Sequence, residues 1–227
     1  MSTVLFVVTG ARHWTLADGT AHPTGYWAEE LLTPFELLTA AGHDVVFATP
    51  GGVAPVADEG SLGATEAERD ALRERLAVVP GLAAPSTLAD VDLSAFDAVF
   101  YPGGHGPMED LARDGASGAL LVAALDDGKP VALVCHGLAA LLAATRADGS
   151  LAASGRTVAA FTDAEEIQGG LAPKAPWLLE STLRDRGLTI ESAEPWADFV
   201  VEDGALITGQ NPQSSASVAR ALLARLG

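Results

Sequence analysis

The sequence predicts an α/β protein, a three-layer α/β/α sandwich around a mainly parallel sheet, with a small inserted cap segment. Three observations predict it. Short apolar, β-branched runs of strand length recur at 3–8, 44–49, 97–101 and 130–134. Stretches with the 3.6-residue apolar spacing of helices lie between them. The first strand is apolar throughout rather than alternately, the pattern of strands buried on both faces of a parallel sheet.

The elements follow in chain order. The run TVLFVV at 3–8 is the first strand, ended by Thr9-Gly10. Residues 24–42 read as a helix that Thr24 caps and Gly42 stops, with apolar positions at 27, 31, 32, 35, 38 and 39. Pro34 inside it predicts a kink or a break, because proline lacks the N–H of the helical ladder. DVVFAT at 44–49 is the second strand. Between 50 and about 93 the alternation stops, and a charged helix at 64–76 stands between Gly/Pro-rich flanks. This insertion reads either as a cap over an edge or site, or as a solvated surface helix. It belongs to a single domain spanning 1–227. Strands at 97–101, 130–134, 156–161, 188–192 and 205–208 then alternate with helices at 116–127, 137–146, 176–186 and 213–226.

Bulk composition removes several function classes. The 227 residues are 48% hydrophobic and 19% charged, enough for a sizeable core. Mean hydropathy is +0.25, yet no apolar run approaches the roughly 18 residues of a membrane span. No basic segment followed by a long apolar stretch opens the chain, so no secretory signal is expected. Thirteen Lys+Arg against 30 Asp+Glu give a net charge of −17, which repels nucleic acid and anionic lipid. The single cysteine excludes an internal disulfide and the usual cysteine-based zinc sites. A reduced, cytoplasmic location is the expectation.

In open α/β sheets ligands bind beyond the carboxyl ends of the strands, which directs attention to 9–25, 102–110, 135–137 and 162–172. VALVCHG at 131–137 runs an apolar strand into Cys135, His136 and Gly137, followed by an Ala/Leu helix. A tight strand-to-helix turn lifts the side chain off the sheet and aims it at a helix N-terminus, where a thiolate is favoured. A buried structural cysteine is the bland alternative, and the position argues against it. The loop PGGHGPMED at 102–110 contains Gly104, His105 and Gly106, whose backbone amides suit an oxyanion beside the sulfur. No histidine follows His136, so a base far downstream of the nucleophile is unavailable. The candidate acid/base groups are His136 and nearby carboxylates. His13 and His22 lack a carboxylate at ligand spacing and read as polar loop residues, so no metal is expected. Trp14, Trp177 and Trp196 read as packing residues or pocket walls.

TGYWAEELLTPF at 24–35, YPGGHG at 101–106, VALVCHG at 131–137, FTDAEE at 161–166 and PWADFVVEDGALITGQNPQSS at 195–215 together resemble the DJ-1/PfpI superfamily, and within it the Hsp31-like branch. That branch contains glutathione-independent glyoxalases (D-lactate dehydratases), with deglycase and chaperone activities also attributed to it. The resemblance implies a flavodoxin-like sheet, Cys135 as nucleophile, His136 as its partner, Glu30 as the carboxylate beside the thiol and Glu166 as the acid orienting the histidine. Glu29 and Glu165 adjoin those two acids, which leaves the register open by one residue. It further implies a small carbonyl substrate such as methylglyoxal, no cofactor and a homodimer. A holding chaperone, a cysteine redox sensor, or another hydrolase or hydratase reaction on the same fold are the competing readings.

Overall fold

The computed structural model describes residues 1–227. Strand β1 (Thr3–Val7) leads to a hairpin of β2 (His13–Thr15) and β3 (Ala21–Pro23), then α1 (Ala28–Ala40) and β4 (Asp44–Thr49). Helix α2 (Glu66–Ala77), β5 (Ser86–Thr87), β6 (Ala98–Tyr101), the short α3 (Gly106–Glu109) and α4 (Gly115–Asp126) follow. Next come β7 (Val131–Val134), a 3₁₀ segment over Cys135–Ala143, β8 (Thr157–Val158), α5 (Asp163–Gly169) and α6 (Leu179–Asp185). The chain ends with β9 (Thr189–Ile190), β10 (Val200–Asp203), β11 (Leu206–Gly209) and α7 (Ser215–Leu226).

The main sheet has seven strands in the order β10-β11-β7-β6-β1-β4-β5, and only the β10–β11 pairing is antiparallel. Helices cover both faces, with α1 packed on α7 and α4 packed on the 3₁₀ segment. The α/β class read from the sequence is therefore the observed one. The central strands are wholly buried because their apolar residues meet helices above and below. Phe6 stacks on Phe100 at 4.6 Å and meets Phe47 edge-on at 5.5 Å, tying β1, β4 and β6 through one side of the sheet.

Several expectations are corrected. Helix α1 starts four residues after Thr24, whose hydroxyl instead donates to Asp58 at 2.5 Å. The backbone N–H of Ala28 is satisfied by Ser61 Oγ at 3.0 Å. Pro34 does not end the helix, because Leu31, Leu32, Pro34 and Leu38 are buried together and that burial outweighs one missing ladder bond. The stretch 156–161 contributes only Thr157–Val158 as strand, paired with β9 in a separate two-stranded sheet. It cannot join the main sheet beside β11, since β10 occupies that edge. The segment after Cys135 is 3₁₀ rather than α-helical and starts at Cys135 itself.

Residues 50–93, expected as an insertion, divide their tasks. Helix α2 has no fully buried residue and is mostly solvated, with Leu72 and Leu76 half-buried against the core and a Thr65–Glu68 capping box at its start. Residues 56–61 instead hold the start of α1. Tyr26 N–H donates to Val56 O at 3.0 Å, and Asp58 N–H donates to Tyr26 O at 2.8 Å. Farther on, β5 adds an edge strand beside β4.

Candidate active site

The site is built where β6 and β7 end side by side. Tyr101 pairs with Leu133, so the loop after β6 and the residue after β7 emerge at the same level. Cys135 is the first residue past β7 and takes φ = +57°, a left-handed conformation that costs a non-glycine residue about 1–3 kcal/mol. The turn brings Cys135 Sγ to 3.3 Å from Nδ1 of His136. His136 Nε2 lies 2.7 Å from Glu166 Oε2, and His105 Nε2 lies 3.0 Å from Glu166 Oε1. One carboxylate thus serves two imidazoles, whose rings are 4.2 Å apart. Glu166 sits on α5, a helix started by the Thr162–Glu165 capping box.

Glu30 enters from α1. It is completely buried, and Gly103 N–H donates to its Oε2 at 2.7 Å. Its Oε1 is the one buried polar side-chain atom without a hydrogen-bond partner. Burial pushes the Glu30 carboxyl up to about 8. Burial, followed by the charge of Glu30, likewise holds the Cys135 thiol well above its ordinary value, while the backbone N–H groups of His136 and Gly104 act on the sulfur in the opposite sense. Burial thus favours the neutral form of Glu30, and in that form the acid carries no charge to oppose a thiolate. Burial pushes Glu166 up, but its hydrogen bonds with His105 and His136 win and hold it below the usual carboxylate range. Burial, then the neighbouring His105, pulls His136 down.

These groups line a cavity of about 300 Å³ shared by Cys135, His136, His105 and Gly104. Trp27, Asp58, Phe161 and Trp196 form further parts of its wall. Gly104 has φ = +88°, and a Cβ there would lie 2.5 Å from Gly25 O and 2.7 Å from Trp27 N. A Cβ on Gly103 would lie 2.7 Å from Glu30 Oε2 and 2.8 Å from His136 N, so glycine is what lets the loop run between Glu30 and the Cys135–His136 turn.

Of the residues singled out in the sequence, the structure brings together Cys135, His136, Glu30, Glu166, Gly104 and His105. Gly106 is not among them. It opens α3 and gives its N–H to Gly25 O at 3.1 Å, so that amide is not free for an oxyanion. Glu29 is exposed, and Glu165 faces away from the imidazoles into its own network with Thr162, Trp196, Gln210 and Asn211. His22, read from the sequence as a polar loop residue, instead lies on β3 and lines the cavity 6.5 Å edge-on from His105, while its hairpin neighbour His13 is exposed. Sequence reasoning missed Asp58, which carries no sequence signal of its own. His105, His136 and Glu166 offer ligand atoms within 4.8 Å of one another, but both oxygens of the carboxylate are already taken by the two imidazoles.

The family model described as the DJ-1/PfpI family matches residues 23–225. Among curated relatives, "Glutamine amidotransferase-like class 1 domain-containing protein 1" of Bos taurus is 30% identical, over 92% of this chain and 90% of its own. "Protein/nucleic acid deglycase HchA" of Pseudomonas aeruginosa is 31% identical over 93% and 76%. "Probable glutathione-independent glyoxalase hsp3103" of Schizosaccharomyces pombe is 29% identical over 88% and 89%. With this fold and these matches, the chain belongs to the DJ-1/PfpI family, on the side of its Hsp31-like members.

Proposed function

We propose that the protein is a cysteine-dependent enzyme acting on small reactive carbonyls, and that it converts methylglyoxal to lactate without glutathione. The observation that carries this reading is the strained Cys135, set in a cavity within reach of a histidine that is itself tied to an acid. The names of two relatives, a glyoxalase and a deglycase, support action on carbonyls.

The chemistry follows from the groups present. Glu166 is ionised and only accepts, so His136 carries its hydrogen on Nε2 and offers the Nδ1 lone pair to the thiol. Sulfur adds to the aldehyde carbon of methylglyoxal and gives a hemithioacetal. The amides of Gly104 and His136, which already favour charge on sulfur, stand beside the oxygen that becomes negative. A proton then passes from the aldehyde-derived carbon to its neighbour, and water hydrolyses the resulting thioester to lactate and free thiol.

The test is lactate production from methylglyoxal by purified protein with no added glutathione. Wild type should turn over, and Cys135→Ala should lose at least a thousandfold in kcat/KM. Residual activity within a few fold of wild type would remove Cys135 from the mechanism. Treatment with EDTA should leave the rate unchanged, and loss of activity that added metal restores would contradict the metal-free reading.

A further inference from the structure

Glu166 holds two imidazoles, and only one of them is used by the sulfur. An ionised carboxylate accepts hydrogen bonds and donates none, so His105 and His136 both carry hydrogen on Nε2. In the neutral form of either ring the lone pair is then on Nδ1. For His136 that lone pair lies 3.3 Å from Cys135 Sγ and is committed to the thiol. For His105 the situation differs. Nδ1 of His105 makes no hydrogen bond, yet the only buried polar side-chain atom without a partner is Glu30 Oε1. Nδ1 of His105 is therefore open, on a residue that lines the cavity.

The His105 ring is also fixed. Trp14 stacks on it at 5.2 Å with 16° between the planes, and the His136 ring lies 4.2 Å away. Trp14 is itself buried. A ring held by stacking and by a carboxylate, on a residue that lines the cavity and with a basic nitrogen that no group of the chain hydrogen-bonds, has what a preorganised general base requires.

We propose that His105 is the catalytic base that moves the carbon-bound proton of the substrate. The assignment rests on the carbonyl reading given above. In the hemithioacetal on Cys135, His105 Nδ1 takes the hydrogen from the aldehyde-derived carbon. That C–H electron pair becomes the carbon–carbon π bond, and the π pair of the adjacent ketone moves onto its oxygen, giving an enediolate. The protonated His105 returns the proton to the former ketone carbon. The hydroxyl proton on the sulfur-bearing carbon passes to the enediolate oxygen as the thioester carbonyl forms. One carbon is oxidised from aldehyde to acyl level and its neighbour is reduced from ketone to alcohol, so no outside oxidant or reductant is needed.

His105→Gln tests this, since an amide N–H still donates to Glu166 while the basic lone pair is gone. Three quantities are measured on wild type and variant: lactate turnover from methylglyoxal, the rate of Cys135 alkylation by iodoacetamide, and the kinetic isotope effect with methylglyoxal deuterated at the aldehyde carbon. General-base loss typically costs 10²–10⁴-fold, so turnover should fall at least a hundredfold. Alkylation should stay within threefold, and the isotope effect should rise as carbon–hydrogen cleavage becomes limiting. Should His105→Gln not fold by thermal melt, His105→Asn carries the same test. Turnover within threefold of wild type would overturn the assignment. Parallel loss of turnover and alkylation would overturn it too, reducing His105 to a positioning residue for the Cys135–His136 pair. Wild type that makes no lactate while its thiol alkylates normally would overturn the glyoxalase reading itself, and the assignment with it.

Discussion

At the scale of the residue, Glu30 shows how burial sets chemistry. Its carboxyl accepts from the Gly103 amide, leaves Oε1 without a well-formed hydrogen bond and lies against the Cys135 thiol. Folding raises its pKa from 4.5 to about 8, with burial as the first cause. The sign of the linkage follows. Between those two values the unfolded chain has released the Glu30 proton while the folded chain still binds it. Stability from this group is complete below 4.5 and is lost as pH rises through about 8. The loss is on the order of 5 kcal/mol, at 1.36 kcal/mol per unit. Glu30→Gln has no proton to lose, so its unfolding free energy should decline much less between pH 5 and pH 8 than that of wild type. Urea melts at the two pH values measure this directly. Parallel declines would show that Glu30 ionises normally in the folded state. The burial could not be read from the sequence, where Glu29 and Glu30 look alike on a helix; only the packing of α1 against the loop after β6 selects Glu30.

At the scale of the element, α5 and the hairpins show what was legible and not taken up. Thr162 and Glu165 have capping-box spacing, and that signal marks the start of α5 within a stretch read from sequence as loop. Asp203-Gly204 between two apolar runs is a hairpin signal, and so is Asp18-Gly19; the structure places β10–β11 and β2–β3 around them. The sites of the long buried strands were legible because their apolar runs cannot satisfy any other burial. The short β8 was misplaced because strand pairing is decided by which edge is free, and a local window holds no such information. Glu165 illustrates how much these elements depend on one buried acceptor. It is fully buried and accepts from Thr162 N–H at 2.9 Å, Thr162 Oγ at 2.8 Å, Trp196 N–H at 2.7 Å, Gln210 Nε2 at 3.0 Å and Asn211 Nδ2 at 2.8 Å. Trp196 is held at φ = +66° with its N–H on this carboxylate. Glu165→Ala leaves buried donors unsatisfied and should cost about 3 kcal/mol or more. For a chain of this size the melting temperature should drop by roughly 6–12 °C. It should also lower activity, because Glu166 is the next residue on the same turn. A drop below about 2 °C by calorimetry would mean that the network is not stabilising. Glu165→Gln retains one acceptor oxygen and should fall between.

At the scale of the whole molecule, charge bears on which carbonyl can enter. No helix is long and apolar enough to cross a membrane, and the chain carries a net charge of −17. The cavity wall repeats that sign at close range. It contains the Asp58 carboxylate and no lysine or arginine, and Glu166 adds an ionised acid directly behind the histidines. Such a field raises the local concentration of neutral or cationic substrates relative to anionic ones. Because the Debye length shrinks from about 30 Å at 0.01 M salt to about 8 Å at 0.15 M, the long-range part of this discrimination must depend on ionic strength. On the carbonyl reading, methylglyoxal, which is neutral, should show a kcat/KM nearly independent of salt over that range. Glyoxylate offers the same aldehyde beside a carboxylate. As a competitor it should bind at least tenfold more weakly than methylglyoxal at low salt, and its binding should strengthen as salt is added. Asp58→Asn should narrow the gap without changing kcat for methylglyoxal by more than a few fold, since Asp58 is held by Thr24 and Gly60 rather than by the reacting groups. Glyoxylate binding as tightly as methylglyoxal at low salt, with no response to salt or to Asp58→Asn, would show that the cavity discriminates by shape alone and that the acidic surface serves solubility, not selection.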